Sequence, residues 1–198
     1  MLVRTRMQTS FDVRPVRVAV LFGLIVGLAL ATRLRAAETI TATAQMKTAA
    51  GATATAPLTL TLDRLSTDRE REQVVAALKG GGTARIHALI DKWAAIGSVR
   101  VGSTLTPVRY AFAQPIAGGR LITVVTSAPI AFVGGGLPNA PPRAGFDLGM
   151  VLLDVPASGT GHGELAPATK IGLNKDGAVV TDDYGTATIV LSNVTVKK

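Results

Sequence analysis

The strongest constraint on this chain is a period of two. From Glu38 to Lys47 the side chains alternate without a break: Ile40, Ala42, Ala44 and Met46 fall on one parity, Thr39, Thr41, Thr43, Gln45 and Lys47 on the other. Successive side chains of a strand point to opposite faces and threonine favours extended backbone, so the segment predicts a half-buried strand. Ala49-Ala50-Gly51 interrupts the pattern, after which Leu58, Leu60 and Leu62 alternate with Thr59, Thr61 and Asp63. Two such runs in succession predict an antiparallel hairpin.

The period then lengthens. Thr67-Asp68-Arg69-Glu70 is a capping box, in which the threonine oxygen and the glutamate carboxylate satisfy orphan amides at a helix start. Val74, Val75 and Leu78 supply an apolar stripe, and Gly80-Gly81-Gly82 ends it. From Thr83 the residues Ile86, Leu89, Ile90 and Trp93 repeat at helical spacing. These signals predict helices near 67–80 and 83–95, folded as a helical hairpin whose Ile and Trp face packs on a sheet.

Beyond Ser98 the period returns to two. Val99 and Val101 form one short run, and Val108, Tyr110 and Phe112 a second, with Gly118-Gly119 as the turn into a third. That third run, Arg120 to Val133, is apolar on both parities, as a strand covered on both sides would be. Residues 134–145 carry glycines and prolines without pattern and predict a surface loop. Phe146, Leu148, Met150 and Leu152 alternate again. Strands are then expected near Ala168–Leu173 and Ala178–Thr181, joined at Asp176-Gly177, and from Thr186 to Val196. In the last of these the apolar parity changes between Leu191 and Val194, which requires a β-bulge. The fold class expected is α+β: a mainly antiparallel sandwich or partly closed barrel of about eight to ten strands with an inserted helical hairpin.

The N-terminus follows a different grammar. Arg4, Arg6, Arg14 and Arg17 precede fourteen residues, Val18 to Ala31, without a polar side chain. A helix of that length is about 21 Å, short against a hydrocarbon core of about 30 Å, so the segment reads as a signal peptide rather than a span. Ala29-x-Ala31 and Ala36-Ala37 offer cleavage sites, and removal is expected between residues 31 and 37. Arg33 and Arg35 lie on the side to be translocated and oppose that reading, leaving an uncleaved membrane anchor as the alternative. With no cysteine, lipid attachment through cysteine, disulfides and thiolate metal sites are excluded.

Removing the signal changes the electrostatics. The chain carries +8, but residues 1–37 hold six arginines and one acid, so residues 38–198 keep 15 basic and 12 acidic side chains, +3 net. Those bases are scattered and not interleaved with aromatics, so no nucleic-acid partner is expected. What remains, 161 residues, suits one β-rich domain over 38–198 in an extracytoplasmic protein, periplasmic or secreted.

No catalytic motif is present. G-x-S-x-G, H-E-x-x-H and G-x-x-x-x-G-K-[ST] do not occur. His87 and Asp91 lie one helical turn apart, an arrangement that reads first as a solvated surface pair. His162 and Glu164 lie in the glycine-rich Gly159-Thr160-Gly161-His162-Gly163-Glu164, read as a turn between strands that could expose an imidazole beside a carboxylate. It is not a dinucleotide loop, because Pro167 and a β pattern follow where a helix N-terminus is needed. Asp182, Asp183 and Tyr184 form the remaining candidate group; in a strand the two acids would face opposite ways. Asn174 and Asp176 with these acids could offer oxygens to calcium, but without EF-hand spacing they read as a turn. No cofactor or metal is expected.

Glu38-Thr39-Ile40-Thr41-Ala42-Thr43, Leu65-Ser66-Thr67-Asp68 before a helix ending in glycines, Gly119-Arg120-Leu121-Ile122, Pro129-Ile130 and Asp182-Asp183-Tyr184-Gly185 together resemble a family of uncharacterised exported bacterial proteins. The resemblance covers most of residues 38–196. It implies bacterial origin and export, and no activity. The expectation is an exported, non-catalytic module binding a small molecule or an envelope protein, with the 134–145 loop as a candidate lid over any pocket. Two alternatives stay open: an enzyme of unrecognised type using His162, Glu164 or the Asp182-Asp183 pair, and a membrane-tethered structural envelope protein.

Overall fold

A computed structural model describes residues 37–47, 51–131, 144–173, 179–183 and 189–197. The elements, in chain order, are β1 (Glu38–Lys47), β2 (Thr53–Leu62), α1 (Asp68–Ile90), β3 (Gly97–Val101), β4 (Thr104–Ile116), β5 (Gly119–Thr126), β6 (Leu148–Pro156), β7 (Gly161–Leu173), β8 (Val179–Asp183) and β9 (Ile189–Lys197). Every pairing is antiparallel. Strands β1 to β7 pair each with the next, β9 pairs with both β7 and β1, and the sheet thereby closes into an eight-stranded barrel. β7 is long enough to serve two partners on one edge: its residues Gly161–Leu165 pair with β9, and Thr169–Leu173 pair with β8, which stands outside the ring.

The alternation in sequence becomes inside and outside. Ile40, Ala42 and Ala44 of β1, Leu58, Leu60 and Leu62 of β2, Ile122 and Val124 of β5, and Val151 and Leu153 of β6 fill the interior, all nearly or fully buried. Threonines line the outside of β1 and β2 in register, Thr39 opposite Thr61 and Thr41 opposite Thr59. The polarity is the reverse of a membrane-spanning barrel, whose outer band is apolar and whose lumen is polar. No described helix is long and apolar enough to cross a membrane. An eight-stranded barrel is narrow enough for side chains to fill it, and here they do over most of its length. One end is plugged from outside the ladder: Ile130, past the end of β5, donates its N–H to Pro167 O (2.8 Å) and occupies the inward space left at Gly149, where a Cβ would lie 2.6 Å from its Cγ1.

Helix α1 crosses the outside of the wall. Ile86 and Ile90, with Val74, Leu78 and Trp93 beside them, cover Tyr110, Val125, Leu148 and Ile171, the outward side chains of β4 to β7. β5 is therefore apolar on both parities because one faces the lumen and the other faces the helix.

Three expectations need correction. A sandwich is excluded, because β1 finds its second neighbour in β9, some 150 residues away, and the sheet has no second layer to pack on. The helical hairpin is replaced by one kinked helical element, within which Gly81 (φ 166°, ψ 18°) and Gly82 (φ 61°, ψ −143°) depart from the helical backbone. The left-handed φ of Gly82 brings the chain so close to β7 that a Cβ would sit 3.1 Å from Ile171 O. Thr83 Oγ1 then donates to Ile171 O (3.0 Å) and accepts from Ile171 N (2.6 Å), satisfying a stretch of β7 that β6 does not reach. The helix also ends at Ile90 with Asp91 as its cap, so Trp93 belongs to the following turn.

Other details agree with the sequence reading. The capping box forms, with Thr67 Oγ1 accepting from Glu70 N and Glu70 accepting from Thr67 N. The bulge lies on β9: Thr41 faces Thr195 and Thr43 faces Ser192, so two residues of β9 stand opposite Ala42, and Asn193 takes φ 55°. The expected loop falls mostly outside the described residues, as do the Asp176-Gly177 turn and Tyr184.

Candidate functional site

Two ionisable residues sit on parities reserved for apolar side chains. Glu38 shares its face with Ile40, Ala42 and Ala44, and Arg120 shares its face with Ile122 and Val124, so both point into the barrel. β1 and β5 are four strands apart in either direction round the ring, which makes them opposite walls. The two side chains meet across the lumen: Arg120 Nη1 donates to Glu38 Oε1 at 3.0 Å and Nη2 to Oε2 at 2.6 Å. Side-chain exposure is 12% for Arg120 and 6% for Glu38. A fork-to-fork geometry of this kind is what allows a desolvated ion pair to hold, since each charge is met by directed hydrogen bonds as well as by its counter-charge.

Above this pair the interior opens. A cavity of about 510 Å³ lies at the end formed by the β4–β5 turn, the β6–β7 connection and the C-terminal half of β9. Its wall includes Pro115, Val155, Pro156, Ser158, Val194 and Val196, and Arg120 is the only charged residue in it among the described residues. Three local features shape the opening. Ala117-Gly118 is a two-residue turn, with Gly118 at φ 79°, that ends the β4–β5 ladder abruptly. Gly119, Gly161 and Gly163 let β5, β6 and β7 approach so closely that a Cβ on Gly163 would run into Leu152 O. The bulge at Asn193 shifts the parity of β9, so Val194 and Val196 face the mouth instead of solvent.

The residues singled out from sequence lie elsewhere. His162 is cross-strand from Asp154, with Nε2 3.9 Å from Asp154 Oδ2, and both stand on the outer face with 77% and 38% of their side chains exposed. Glu164, two residues on, is exposed on the same face. This is the outer wall of the same barrel end, with its side chains directed away from the cavity. His162 is also a strand residue of β7, not a turn residue as expected; the turn is confined to residues 157–160. Asp182 lies on β8 opposite Lys170, eight residues farther along β7 than His162, a separation of about 26 Å. It is exposed; the side chain of Asp183 and all of Tyr184, Asn174 and Asp176 are outside the described set. His87 does not pair with Asp91. Its Nε2 is 3.0 Å from Ser127 O, so the ring donates to that carbonyl and ties α1 to the end of β5. Among the described residues no three His, Asp or Glu side chains converge to hold a metal ion.

A second polar zone lies where α1 begins. Arg64 donates to Glu70 through both terminal nitrogens (2.9 and 2.8 Å), and Arg71 stacks over Phe112 at 5.1 Å. The Arg64 hydrogen bonds, helped by those from Thr67, hold the Glu70 carboxyl at about 2, against an opposing effect of burial. Burial pushes the Tyr110 phenol well above its ordinary value of 10. These groups fasten the helix to the wall.

Comparison with protein-family models, curated proteins and solved structures found no match. The reading of the site rests on its own geometry.

The pair at the mouth was half legible in sequence. An ionisable residue on the apolar parity of a strand is a signal that Glu38 and Arg120 both carry; their meeting across four strands is not.

Proposed function

We propose that this protein is an exported, non-catalytic binding module, and that it takes a small, largely apolar molecule at the open mouth of its barrel. The observation that carries the reading is the contrast between the barrel's two ends: one is plugged by Ile130, while the other keeps a cavity of about 510 Å³ over a buried arginine. That volume falls within the ordinary range for small-molecule sites, and the wall sets mostly apolar side chains among Ser158, the backbone of the β6–β7 connection and one directed arginine, so it offers a ligand both apolar and polar contacts. The signal-like N-terminus and the resemblance to exported bacterial proteins support export; the chain leaves the described barrel at residue 131 and re-enters at 144, both at the Ile130 end, so residues 134–145 are not offered as a lid over this mouth. The alternative of catalysis at His162 would place a reaction on an open outer wall.

The test is mass spectrometry of small molecules released by denaturing protein purified from its native compartment. An apolar species is expected from the wild-type chain and absent from a Val196→Trp variant, which fills the mouth. A wild-type chain that releases nothing, or a variant that releases the same species in equal amount, would overturn the reading.

A further inference from the structure

The buried pair says which headgroup the mouth can accept. Among the described residues Arg120 is the only charged side chain in the cavity wall, and Glu38 is not part of that wall. Both oxygens of Glu38 are occupied by the two terminal nitrogens of Arg120, so the carboxylate is sealed behind the guanidinium and is not offered to a cationic ligand. A guanidinium has five N–H donors and Glu38 engages two of them, which leaves donors for a guest. The charge of Arg120, however, is already neutralised by a partner at 2.6 Å. A ligand carboxylate seated on Arg120 would lie within a few ångströms of the Glu38 carboxylate, in surroundings that screen poorly, and would add an unbalanced negative charge. A neutral carbonyl accepts the same hydrogen bonds without that repulsion.

We infer that the Glu38–Arg120 pair makes the barrel mouth selective for an uncharged acceptor group, an amide, ester or ketone carbonyl, carried on an apolar body, and that Glu38 is the residue that rejects carboxylates. The inference rests on the mouth being the binding site. Glu38 does not touch the ligand; it sets the charge of the donor that does. The apolar body lies against Pro115, Val155, Val194 and Val196.

Octanamide and octanoate at pH 7 are the probes, since they share a tail and differ in the charge of the head. Binding is followed by NMR titration of the valine methyls. In the wild-type chain octanamide is expected to shift Val155, Val194 and Val196 and to bind about tenfold more tightly than octanoate. In Glu38→Gln, where Arg120 keeps its charge without a counter-charge, the order is expected to reverse. Should Glu38→Gln fail to fold, the wild-type ratio stands as the decisive measurement, and the neutral double variant Glu38→Gln/Arg120→Gln is expected to lose the discrimination. Equal affinities in the wild type, tighter octanoate, or a Glu38→Gln ratio like that of wild type overturns the selectivity while leaving the mouth as the site. Methyl shifts confined to residues away from the mouth, or none with either probe, would overturn the site itself.

Discussion

At the scale of single residues, the one charged pair described inside the barrel is held by geometry that neutralises it. Glu38 and Arg120 have lost most of their water and recover it through two directed hydrogen bonds across the lumen. Removing one partner strands the other, so Arg120→Ala is expected to cost about 3–5 kcal/mol in urea unfolding. Replacing both at once, Glu38→Leu with Arg120→Met, is expected to be near neutral or stabilising, which would identify the pair as retained for selectivity rather than stability. The Arg64–Glu70 pair behaves differently because Arg64 remains 43% exposed. Glu70 titrates at about 2 in the folded state against an ordinary 4.5, so its contribution is present above the unfolded value and is lost as pH falls toward 2. Glu70→Gln is expected to lower stability at pH 7 by about 1 kcal/mol and to flatten the loss of stability between pH 4.5 and 2, measured by urea unfolding across that range.

At the scale of elements, backbone irregularities decide where side chains are aimed. β9 is the clearest case, because Leu191 and Val194 can both be buried only if one extra residue is spent between them. Asn193 takes the left-handed conformation there, which asparagine and glycine tolerate and β-branched residues do not. Asn193→Gly is expected to leave thermal stability almost unchanged, whereas Asn193→Val should cost about 1–2 kcal/mol and, by re-aiming Val194 and Val196, weaken binding at the mouth. The parity change was readable in the sequence because the apolar residues themselves carried it. The break in α1 was readable as well, from Gly80-Gly81-Gly82, but its outcome was not: whether two helical segments fold back on each other depends on what they pack against, and here both lie on one wall.

At the scale of the whole molecule, closure removes the sheet's edges. Each of the eight ring strands has a neighbour on both sides over at least part of its length, whereas β8 pairs with β7 alone among the described residues. Amides in the β1–β9 and β1–β2 ladders are therefore expected to exchange with solvent only on global unfolding, and those of β8 through a smaller local opening, in hydrogen-exchange measurements at neutral pH. Uniform protection across β8 and the ring would contradict the division into barrel and appendage. Closure also explains the site: a filled barrel offers a ligand only its ends, and one of these is already taken by Ile130.

What the sequence determined by itself was the local alternation, the two registers of apolar side chains, the capping box and the β9 bulge, since each depends on neighbours a few residues apart. Export and the resemblance to exported bacterial proteins likewise remain readings of the sequence. Tertiary structure alone decided that the sheet closes, because a strand's buried face is equally satisfied by a second sheet, a helix or its own far edge. It also decided that Glu38 and Arg120 meet. His162, Glu164 and Asp182 are polar residues near glycines and turns in the sequence, and the fold spreads them over exposed strand surfaces; Arg120, which lines the cavity, and Glu38 behind it come from positions the alternation reserves for the core.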